Sequence, residues 1–341
     1  MNIVSATEVC DPTYRVSVII LNWNGRQYLP ECLDSLTAQI YRNFETILVD
    51  NGSTDGSAEY VREHYLWVRL ISLPDNTGFA AGNNRGLQEA GGDFIVTLNN
   101  DTKVDPAFLA ELVRIALADN RIGMVAAKMR NYYRPDRLDA AGLKIGCNGL
   151  GYNIGIGEID DGRYDNVPLF GPCGGAALYR REMLDEIGFF DPDFFAYYED
   201  FDLAWRARLA GWKALAAPQA LVYHVHSATG GEMSTFKVYY TQRNKWFVIA
   251  KNWPSALFRR HLASILFADL AAFCLAVLRG RGLTSMRARR DVIREFARLM
   301  KKRRAIQERR TLSDRQVASL FSPHEHLFLT FLRKMGLRRN D

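Results

Sequence analysis

The first 120 residues alternate between short apolar runs and longer segments in which apolar residues recur at helical spacing. The runs are typical of buried strands, and the segments between them are typical of amphipathic helices. Alternating strands and helices predict an α/β fold with a parallel sheet and right-handed crossovers. The predicted strands cover residues 16–21, 44–49, 68–72 and 93–98, and the predicted helices cover 28–41, a segment ending near 64, 80–90 and 106–119.

Beyond residue 120 the pattern loosens into glycine-rich stretches and then predicts a helix over residues 199–210. The last hundred residues predict helices, with no sheet pattern. An extended segment before them, residues 222–226, places His224 and His226 on the same face. We therefore expect an α/β domain over residues 15–250, followed by a basic helical extension over residues 251–341.

Polar, turn-rich stretches follow three of the predicted strands. They are Asn22-Trp-Asn-Gly25, residues 50–57 and Asn99-Asn-Asp101. Ligands of parallel α/β sheets bind beyond the carboxyl ends of the strands. We therefore expect these three stretches to form one rim that holds a ligand.

Two aspartates on this rim are candidate ligand-binding groups. Asp101 follows an apolar strand, where a carboxylate can hold a divalent metal that balances a pyrophosphate. Asp50 can accept a hydrogen bond from a base N–H or a ribose hydroxyl. The alternatives are an Asx turn at Asp101 and a turn or helix cap at Asp50. The glycine-rich stretch 76–86 brings Arg85 toward the same rim, and a guanidinium suits phosphate.

Three carboxylates, Glu199, Asp200 and Asp202, open the helix predicted from residue 199. One or two would suffice to complement the helix dipole, which is the alternative role for each of them. A positioned carboxylate can take the proton from an attacking hydroxyl, and Asp200 is the natural candidate. His224 or His226 can complete a metal shell or contact phosphate, the alternative being a surface pair.

Together and in this order, the motifs resemble family-two glycosyltransferases of the GT-A fold over about residues 15–250. Residues 240–244 resemble the rhamnosyltransferase-type branch. The resemblance implies an inverting, metal-dependent enzyme of cell-surface glycan synthesis. It implies a nucleotide-sugar donor, with dTDP-rhamnose favoured and UDP-hexoses next, and a lipid-linked or polysaccharide acceptor.

The resemblance also implies residue roles. Asp101 ligates Mg²⁺ or Mn²⁺, with His224 preferred to His226 as its partner, and Asp200, beside Glu199, is the general base. The chain departs from the family's Asp-x-Asp metal motif because Asn99 stands at its first position. With no second carboxylate placed as a nucleophile, one displacement inverts the anomeric centre. The expected donor-binding residues are Asn22, Asn24, Asp50, Asn51, Asp55, Gly78, Asn83, Arg85, Asn99, Asn100, Gly174 and Gly175.

The net charge of +6 is unevenly distributed, because basic residues outnumber acidic ones about threefold after Lys251 and acidic ones prevail before it. A basic tail favours an anionic lipid surface, with nucleic acid as the alternative that we do not expect.

The apolar segment 261–278 is too short to span a membrane and carries Asp269. Residues 283–310 are expected to dock on lipid, the alternative being packing on the catalytic domain or in a homo-oligomer. Their predicted apolar face comprises Val292, Ile293, Phe296, Leu299 and Met300.

Five scattered cysteines without a C-x-x-C pair indicate neither a zinc site nor a disulfide framework. No export signal is visible, so we expect a cytoplasmic protein that is peripheral on the inner face of the plasma membrane. The fingerprints of dinucleotide-binding enzymes and P-loop ATPases are absent from the sequence. The remaining alternative is a catalytically inactive membrane- or nucleic-acid-binding protein with a GT-A-like body.

Overall fold

A nine-stranded sheet forms the centre of the structure, a computed structural model that describes residues 13–225 and 234–322. The first third of the chain alternates strands and helices, as the hydrophobic pattern predicts. The elements in this part are β1 (Val16–Asn22), α1 (Leu29–Thr37), β2 (Phe44–Asn51), α2 (Ser57–His64), β3 (Arg69–Leu73), α3 (Gly78–Glu89), β4 (Phe94–Asn99), β5 (Thr102–Val104) and α4 (Phe108–Ala116).

The middle of the chain adds further strands and the helix that starts with Glu199. These elements are β6 (Ile122–Asn131), β7 (Leu138–Ala140), β8 (Leu143–Gly146), β9 (Gly151–Asn153), β10 (Ala176–Arg180), α5 (Arg181–Ile187), α6 (Glu199–Leu209) and β11 (Lys213–His224). The rest of the described chain is mainly helical. It comprises α7 (Thr235–Asn252), α8 (Ser255–Leu278), α9 (Gly282–Arg294), α10 (Phe296–Glu308), α11 (Asp314–Ala318) and β12 (Phe321–Ser322).

The strand order in the sheet is β3-β2-β1-β4-β10-β6-β11-β5, with β7 paired to β6. The pairs among β1, β2, β3 and β4 are parallel, which confirms the expected α/β arrangement in the N-terminal half. Strand β10 then runs antiparallel between β4 and β6. Since β11 pairs parallel with β6 and antiparallel with β5, the second half of the sheet is mixed.

Strand β1 has the composition of a strand buried on both faces. Val16, Val18, Ile19 and Ile20 are completely buried, as continuous apolar runs in covered parallel sheets are. Helix α1 begins with a proline in its first turn and packs its apolar face beneath the sheet. The pairing register of β1 with β2 places Asn22 opposite Asp50. The ends of the strands are thereby aligned along one edge, where polar side chains meet.

The helices that follow residue 250 share a hydrophobic core with the sheet. Trp253 and Leu257 are buried in the same cluster as the strand residues Ile95 and Met124. The ammonium of Lys251 is also buried, where it pairs with Asp202 at 2.8 Å and with Asp191. The core therefore continues from the sheet into the helical extension.

Three expectations about the C-terminal part need correction. The basic segment after residue 282 is interrupted at Glu295, and Leu299, expected to face lipid, is completely buried in the core. Val292 and Met300 also pack against this core.

The apolar helix α8 is longer than the expected segment 261–278, because it starts at Ser255 and has 24 residues. By length and composition alone it could cross a membrane. Finally, β12 pairs with β8, although no strand is predicted there.

Candidate active site

A buried network of side-chain amides joins the ends of β1, β2 and β4. Asn22 Nδ2 donates to Asp50 Oδ1 at 3.0 Å and to Ser53 Oγ at 3.2 Å. Its Oδ1 accepts a hydrogen bond from Asn100 Nδ2 at 2.7 Å. Asn22 and Asp50 are almost completely buried, so this network fixes the positions of the rim loops. The Asp50 carboxylate keeps oxygen lone pairs that can accept hydrogen bonds from further donors.

The loops after β1 and β2 hold each other through Asn24 and Asp55. Asn24 has a left-handed backbone, with φ of 51°, and its Oδ1 accepts from the N–H of Thr54 at 2.8 Å. Asp55 accepts from the N–H of Arg26 at 2.9 Å and from that of Ser57, in the first turn of α2, at 3.1 Å. The structure therefore gives these two predicted donor-binding residues a role in shaping the rim.

The next part of the rim is held by Asn51. Its Oδ1 accepts from the N–H of Thr77 at 2.9 Å, and its Nδ2 donates to the carbonyl of Gly78 at 3.3 Å. Gly78 has a φ of 86°, and a Cβ atom there would lie 2.4 Å from the carbonyl oxygen of Phe195. A side chain at this position is therefore excluded, because α3 approaches the loop that leads to α6.

Asp101 and His224 face each other beyond the end of β4. His224 Nε2 lies 3.2 Å from Asp101 Oδ1 and 3.3 Å from Asn99 Nδ2. The other ring nitrogen, Nδ1, lies 2.6 Å from Oδ2 of Asp139, a residue of β7. Histidines that bind metals usually donate their second N–H to a carboxylate in this way, which orients the ring. No motif distinguishes Asp139, which occupies an isolated polar position between Leu138 and Ala140.

The charge of this pair depends on a His224 proton that a bound metal would displace. Burial lowers the pKa of His224, but hydrogen bonds and charge attraction from Asp101 and Asp139 outweigh it and raise the pKa to about 9. Within the described ranges, no group of three or more His, Cys, Asp or Glu side chains is arranged to hold a metal. The Asp101 carboxylate and the His224 imidazole fit a metal that takes its remaining ligands from substrate phosphate and water, as Mg²⁺ commonly does.

A glycine-rich loop connects Asp200 to the same strand end. The N–H of Gly174 donates to Asp200 Oδ2 at 3.1 Å, and the carbonyl of Gly174 accepts from Thr97 Oγ1 at 2.7 Å. The carbonyl of Gly175 accepts from the N–H of Asn99 at 2.8 Å. The loop therefore couples the carboxylate of Asp200 to the end of β4, which leads directly into Asp101.

Burial raises the pKa of Asp200 to about 6, although the backbone N–H groups of Gly174 and Phe201 lower it. Burial, together with the neighbouring charge of Asp200, raises the pKa of Glu199 well above its usual value. Within the described part of the chain, Oε2 of Glu199 is buried and has no hydrogen-bond partner. A carboxylate that ionises near pH 6 is suited to general base catalysis near neutral pH.

The turn that leads into α6 has an unusual backbone. Tyr197 and Tyr198 have φ of 67° and 71°, in the left-handed region that large side chains rarely adopt. Asn244 of α7 is completely buried, and its Nδ2 donates to the carbonyls of Ala196 at 2.9 Å and Tyr197 at 2.7 Å. Asn244 therefore holds the turn that positions Glu199 and Asp200. It lies in the 240–244 segment, which the sequence distinguished only by its resemblance.

Two of the predicted donor-binding residues form their side-chain hydrogen bonds within α3. Arg85 pairs with Glu89 at 2.9 Å on the same helix, and its phosphate contact stays a prediction. Asn83 donates from Nδ2 to the carbonyl of Phe79, also within α3. His226, the alternative metal ligand, lies outside the described residues.

Known proteins match this chain in sequence and in fold. Residues 17–188 match the family model of Glycosyl transferase family 2. The chain is 28% identical over 234 residues to the O-antigen biosynthesis protein RfbC of Myxococcus xanthus, with 64% of this chain and 18% of that protein covered. It is 27% identical over 229 residues to the N-acetylglucosaminyl-diphospho-decaprenol L-rhamnosyltransferase of Mycobacterium tuberculosis, with 61% of this chain and 75% of that protein covered.

Among solved structures, the mannosyltransferase PcManGT of Pyrobaculum calidifontis, in complex with GDP-Man and Mn²⁺, has a similar fold. The TM-score is 0.54 at 20% sequence identity, over 96% of this chain and 88% of that one. At this identity the similarity concerns the fold alone. The fold expected from the sequence, GT-A with a C-terminal helical region, is confirmed.

Proposed function

The chain belongs to glycosyl transferase family 2, and from that premise we propose that it is an inverting, metal-dependent glycosyltransferase of cell-surface glycan synthesis. One observation carries the proposal. The Asp101–His224 pair and the Asp200 carboxylate are both anchored to the end of β4, the first through the chain that follows Asn99 and the second through the loop at Gly174 and Gly175.

The donor end of the proposed site is the rim of β1 and β2. Asp50 is held by Asn22 and Ser53, with oxygen lone pairs left for a base N–H or a ribose hydroxyl. Asp101 and His224 would hold Mg²⁺ or Mn²⁺ beside the pyrophosphate. When bound, the cation supplies electrostatic stabilisation of the charge on the departing nucleoside diphosphate. Asn99 Nδ2 lies 3.3 Å from His224 Nε2, so the amide at the first position of the family's metal motif stands next to the ring.

At the acceptor end, Asp200 takes the proton from the acceptor hydroxyl as the oxygen attacks the anomeric carbon. The anomeric carbon gains one bond to the acceptor oxygen and loses its bond to the diphosphate in the same displacement, which inverts its configuration. Next to this base, burial and the charge of Asp200 raise the pKa of Glu199 well above its usual value, and among the described residues its buried Oε2 has no hydrogen-bond partner. Adjacent carboxyl groups whose surroundings shift their pKa values differently are suited to different roles.

The proposed donor is dTDP-rhamnose, with UDP-hexoses next, and the proposed acceptor is a lipid-linked or polysaccharide glycan. The name of the mycobacterial relative supports both parts, because it specifies an L-rhamnosyltransferase that acts on a diphospho-decaprenol lipid. Such an acceptor places the reaction at the cytoplasmic face of the plasma membrane. The buried pair of Asp101 and His224, with Asp139 behind it, argues against an inactive binding protein on the same fold.

The test is nucleoside-diphosphate release from a panel of dTDP- and UDP-sugars, with Mg²⁺ or Mn²⁺ and lipid extract as acceptor. We expect one donor to give metal-dependent release by the full chain and Asp101→Ala to abolish it. Asp136→Asn, which changes an exposed aspartate outside the rim, serves as the control and keeps full activity. Release that is independent of metal, or that survives Asp101→Ala, would contradict the metal-dependent mechanism.

A further inference from the structure

Helices α8 and α9 expose a set of apolar side chains that the proposed reaction does not use. On α8 they lie three, four, seven or eight residues apart, spacings that place them along one face of the helix. The opposite face, which includes Leu257 and Ile265, is buried against the core. Every member of the set is at least 49% exposed: Leu266, Phe267, Leu270, Val277, Leu278, Leu283, Met286 and Ile293.

The same two helices are strongly basic on their exposed side. Residues 255–294 contain eight arginines and only two acidic residues, Asp269 and Asp291. Asp269 is buried between Lys245 at 2.7 Å and Arg289 at 2.8 Å. Asp291 accepts from Tyr239 at 2.8 Å and pairs with Arg290 at 3.0 Å. The arginines that remain exposed beside the apolar stripe are Arg259, Arg260, Arg279, Arg287, Arg290 and Arg294.

We propose that this α8–α9 surface docks on an anionic lipid bilayer, with the helices lying in the interface and their apolar side chains in the boundary between headgroups and acyl chains. Apolar side chains flanked by arginines are the chemistry that such an interface recognises. This surface overlaps only in part with the one expected from the sequence. Ile293 belongs to both, whereas Leu299 lies in the protein core and Val292 and Met300 pack against it.

Two other occupants of this surface are disfavoured by the same contacts. A second copy of the chain would bring arginines against arginines, with both nearby aspartates already paired within the subunit. A membrane-spanning α8 would have to carry Asp269, in the middle of the helix, away from Lys245 and Arg289. It would also expose the face of α8 that holds Leu257 and Ile265 in the core.

The docking surface is linked to the active site by short contacts through the start of α7. Arg281 donates to Thr235 Oγ1 at 2.6 Å, beside Phe236. The ring of Phe236 lies 5.9 Å from that of Phe195 and 6.1 Å from that of Tyr197. These residues precede Glu199 and Asp200. A docked bilayer would therefore present a lipid-linked acceptor near the proposed base; this link rests on the proposed function, whereas the docking itself does not.

The test is flotation of the full chain with vesicles of phosphatidylcholine alone or of an equimolar mixture with phosphatidylglycerol. We expect binding to the anionic vesicles only, weakening as salt increases. Phe267→Glu with Leu270→Glu is expected to weaken binding more than tenfold, since two apolar contacts are replaced by repelled charges. Arg287→Gln and Arg294→Gln are each expected to weaken it about fivefold. Leu66→Glu, at an exposed leucine next to the β3 edge, is the matched control and retains binding.

Three results would overturn the proposal. They are equal flotation of all variants, a dimer in light scattering that Phe267→Glu disrupts while no flotation occurs, and resistance of the bound chain to alkaline carbonate extraction, which marks a spanning helix. Nucleoside-diphosphate release to water or to a soluble acceptor is measured for every variant. Unchanged release with lost flotation separates the docking surface from the catalytic site, whose failure would instead appear in release by the native chain.

Discussion

The rim of the sheet and the helices α7–α10 contribute in different ways to the proposed function. At the rim, polar side chains at the ends of β1, β2 and β4 contact one another. In the helical region, buried polar residues such as Asn244 and Lys251 contact the turn before α6 and its first turn, and apolar residues of α8 and α9 are exposed.

The difference teaches that chemistry and positioning come from separate parts of the chain. The groups proposed to react lie on the rim and at the start of α6. The groups that fix the strained turn before α6 come from α7, almost 50 residues later in the chain. Disrupting the rim should therefore remove individual chemical steps, whereas disrupting α7 should misplace groups that remain intact.

The largest effect is expected at the proposed base. Asp200→Asn keeps the shape of the side chain but removes the proton acceptor, so transfer should fall by about 10²- to 10⁴-fold. The Asp200→Asn variant should be more stable than the native chain at pH 7, because burial raises the pKa of the native Asp200 from its usual value near 3.8 to about 6. A raised acid pKa gives a contribution that is present below the unfolded value and is lost as pH rises through about 6.

Removing this ionisable group should therefore raise the unfolding free energy at pH 7 by up to about 3 kcal/mol. The measurements are steady-state kinetics and thermal unfolding of the two proteins at pH 7 and at pH 4. The stability difference should shrink at the lower pH. A variant that is both inactive and less stable at pH 7 would indicate a structural role for Asp200 and no role as the base.

The second prediction concerns the residue behind His224. Asp139→Asn removes the carboxylate next to Nδ1, and we expect metal activation to require about 10- to 100-fold more Mn²⁺. The dependence of nucleoside-diphosphate release on Mn²⁺ concentration measures this effect. Asp136→Asn, an exposed position three residues earlier, is the control and should leave the curve unchanged. An unaltered curve for Asp139→Asn would show that His224 does not depend on this carboxylate.

The third prediction tests whether α7 positions the base. Asn244→Ala removes both hydrogen bonds to the turn at residues 196 and 197, so kcat should fall about tenfold while the KM for donor stays constant. Asn252→Ala is the matched control, because Asn252 is equally buried on the same helix but bonds to Asp202. If both variants lose stability and kcat to the same extent, the effect of Asn244 is general and not positional.

The fourth prediction is a pH dependence. Because burial raises the pKa of Asp200 to about 6, the base is ionised above that pH and protonated below it. Turnover at saturating donor should reach a plateau near pH 7 and fall about tenfold for each pH unit below 6. The pH–rate profile measures this directly. A plateau that extends to pH 4 would place the acidic limb on a different group.

The smallest effect is expected at Arg85. Since its guanidinium pairs with Glu89 on the surface of α3, Arg85→Gln should cost about 0.3 kcal/mol of stability and change the donor KM less than about twofold. Kinetics with the identified donor test this. A KM raised tenfold or more would support the phosphate contact expected from the sequence and would show that the donor site includes Arg85 of α3.

Residues that contact distant parts of the chain are not predicted by local sequence patterns. Local hydrophobic pattern and turn composition were sufficient for the strands that end at Asn22, Asp50 and Asn99, because each strand end is encoded within a few residues. Local patterns do not identify Asp139 and Asn244, because their partners, His224 and the carbonyls of residues 196 and 197, are distant in the chain. Patterns within one strand or one helix carry no information on such pairs.

The same reasoning explains the helical region. Val292, Leu299 and Met300 form an apolar stripe whose direction, toward core or lipid, depends on what packs there, and periodicity alone gives only the stripe. Arg85 is predicted to contact phosphate because it lies in the glycine-rich stretch 76–86. The sequence does not show where α3 begins, and a start at Gly78 places Arg85 in the second half of the helix, where it pairs with Glu89.

The most direct test of the central claim is the anomeric configuration of the product, read by NMR from the first turnovers of the full chain with its preferred donor. A single displacement at one general base predicts a glycosidic bond of configuration opposite to that of the donor. A product that retains the donor's configuration would contradict the account, because retention requires a second displacement that Asp200 acting as a base cannot supply.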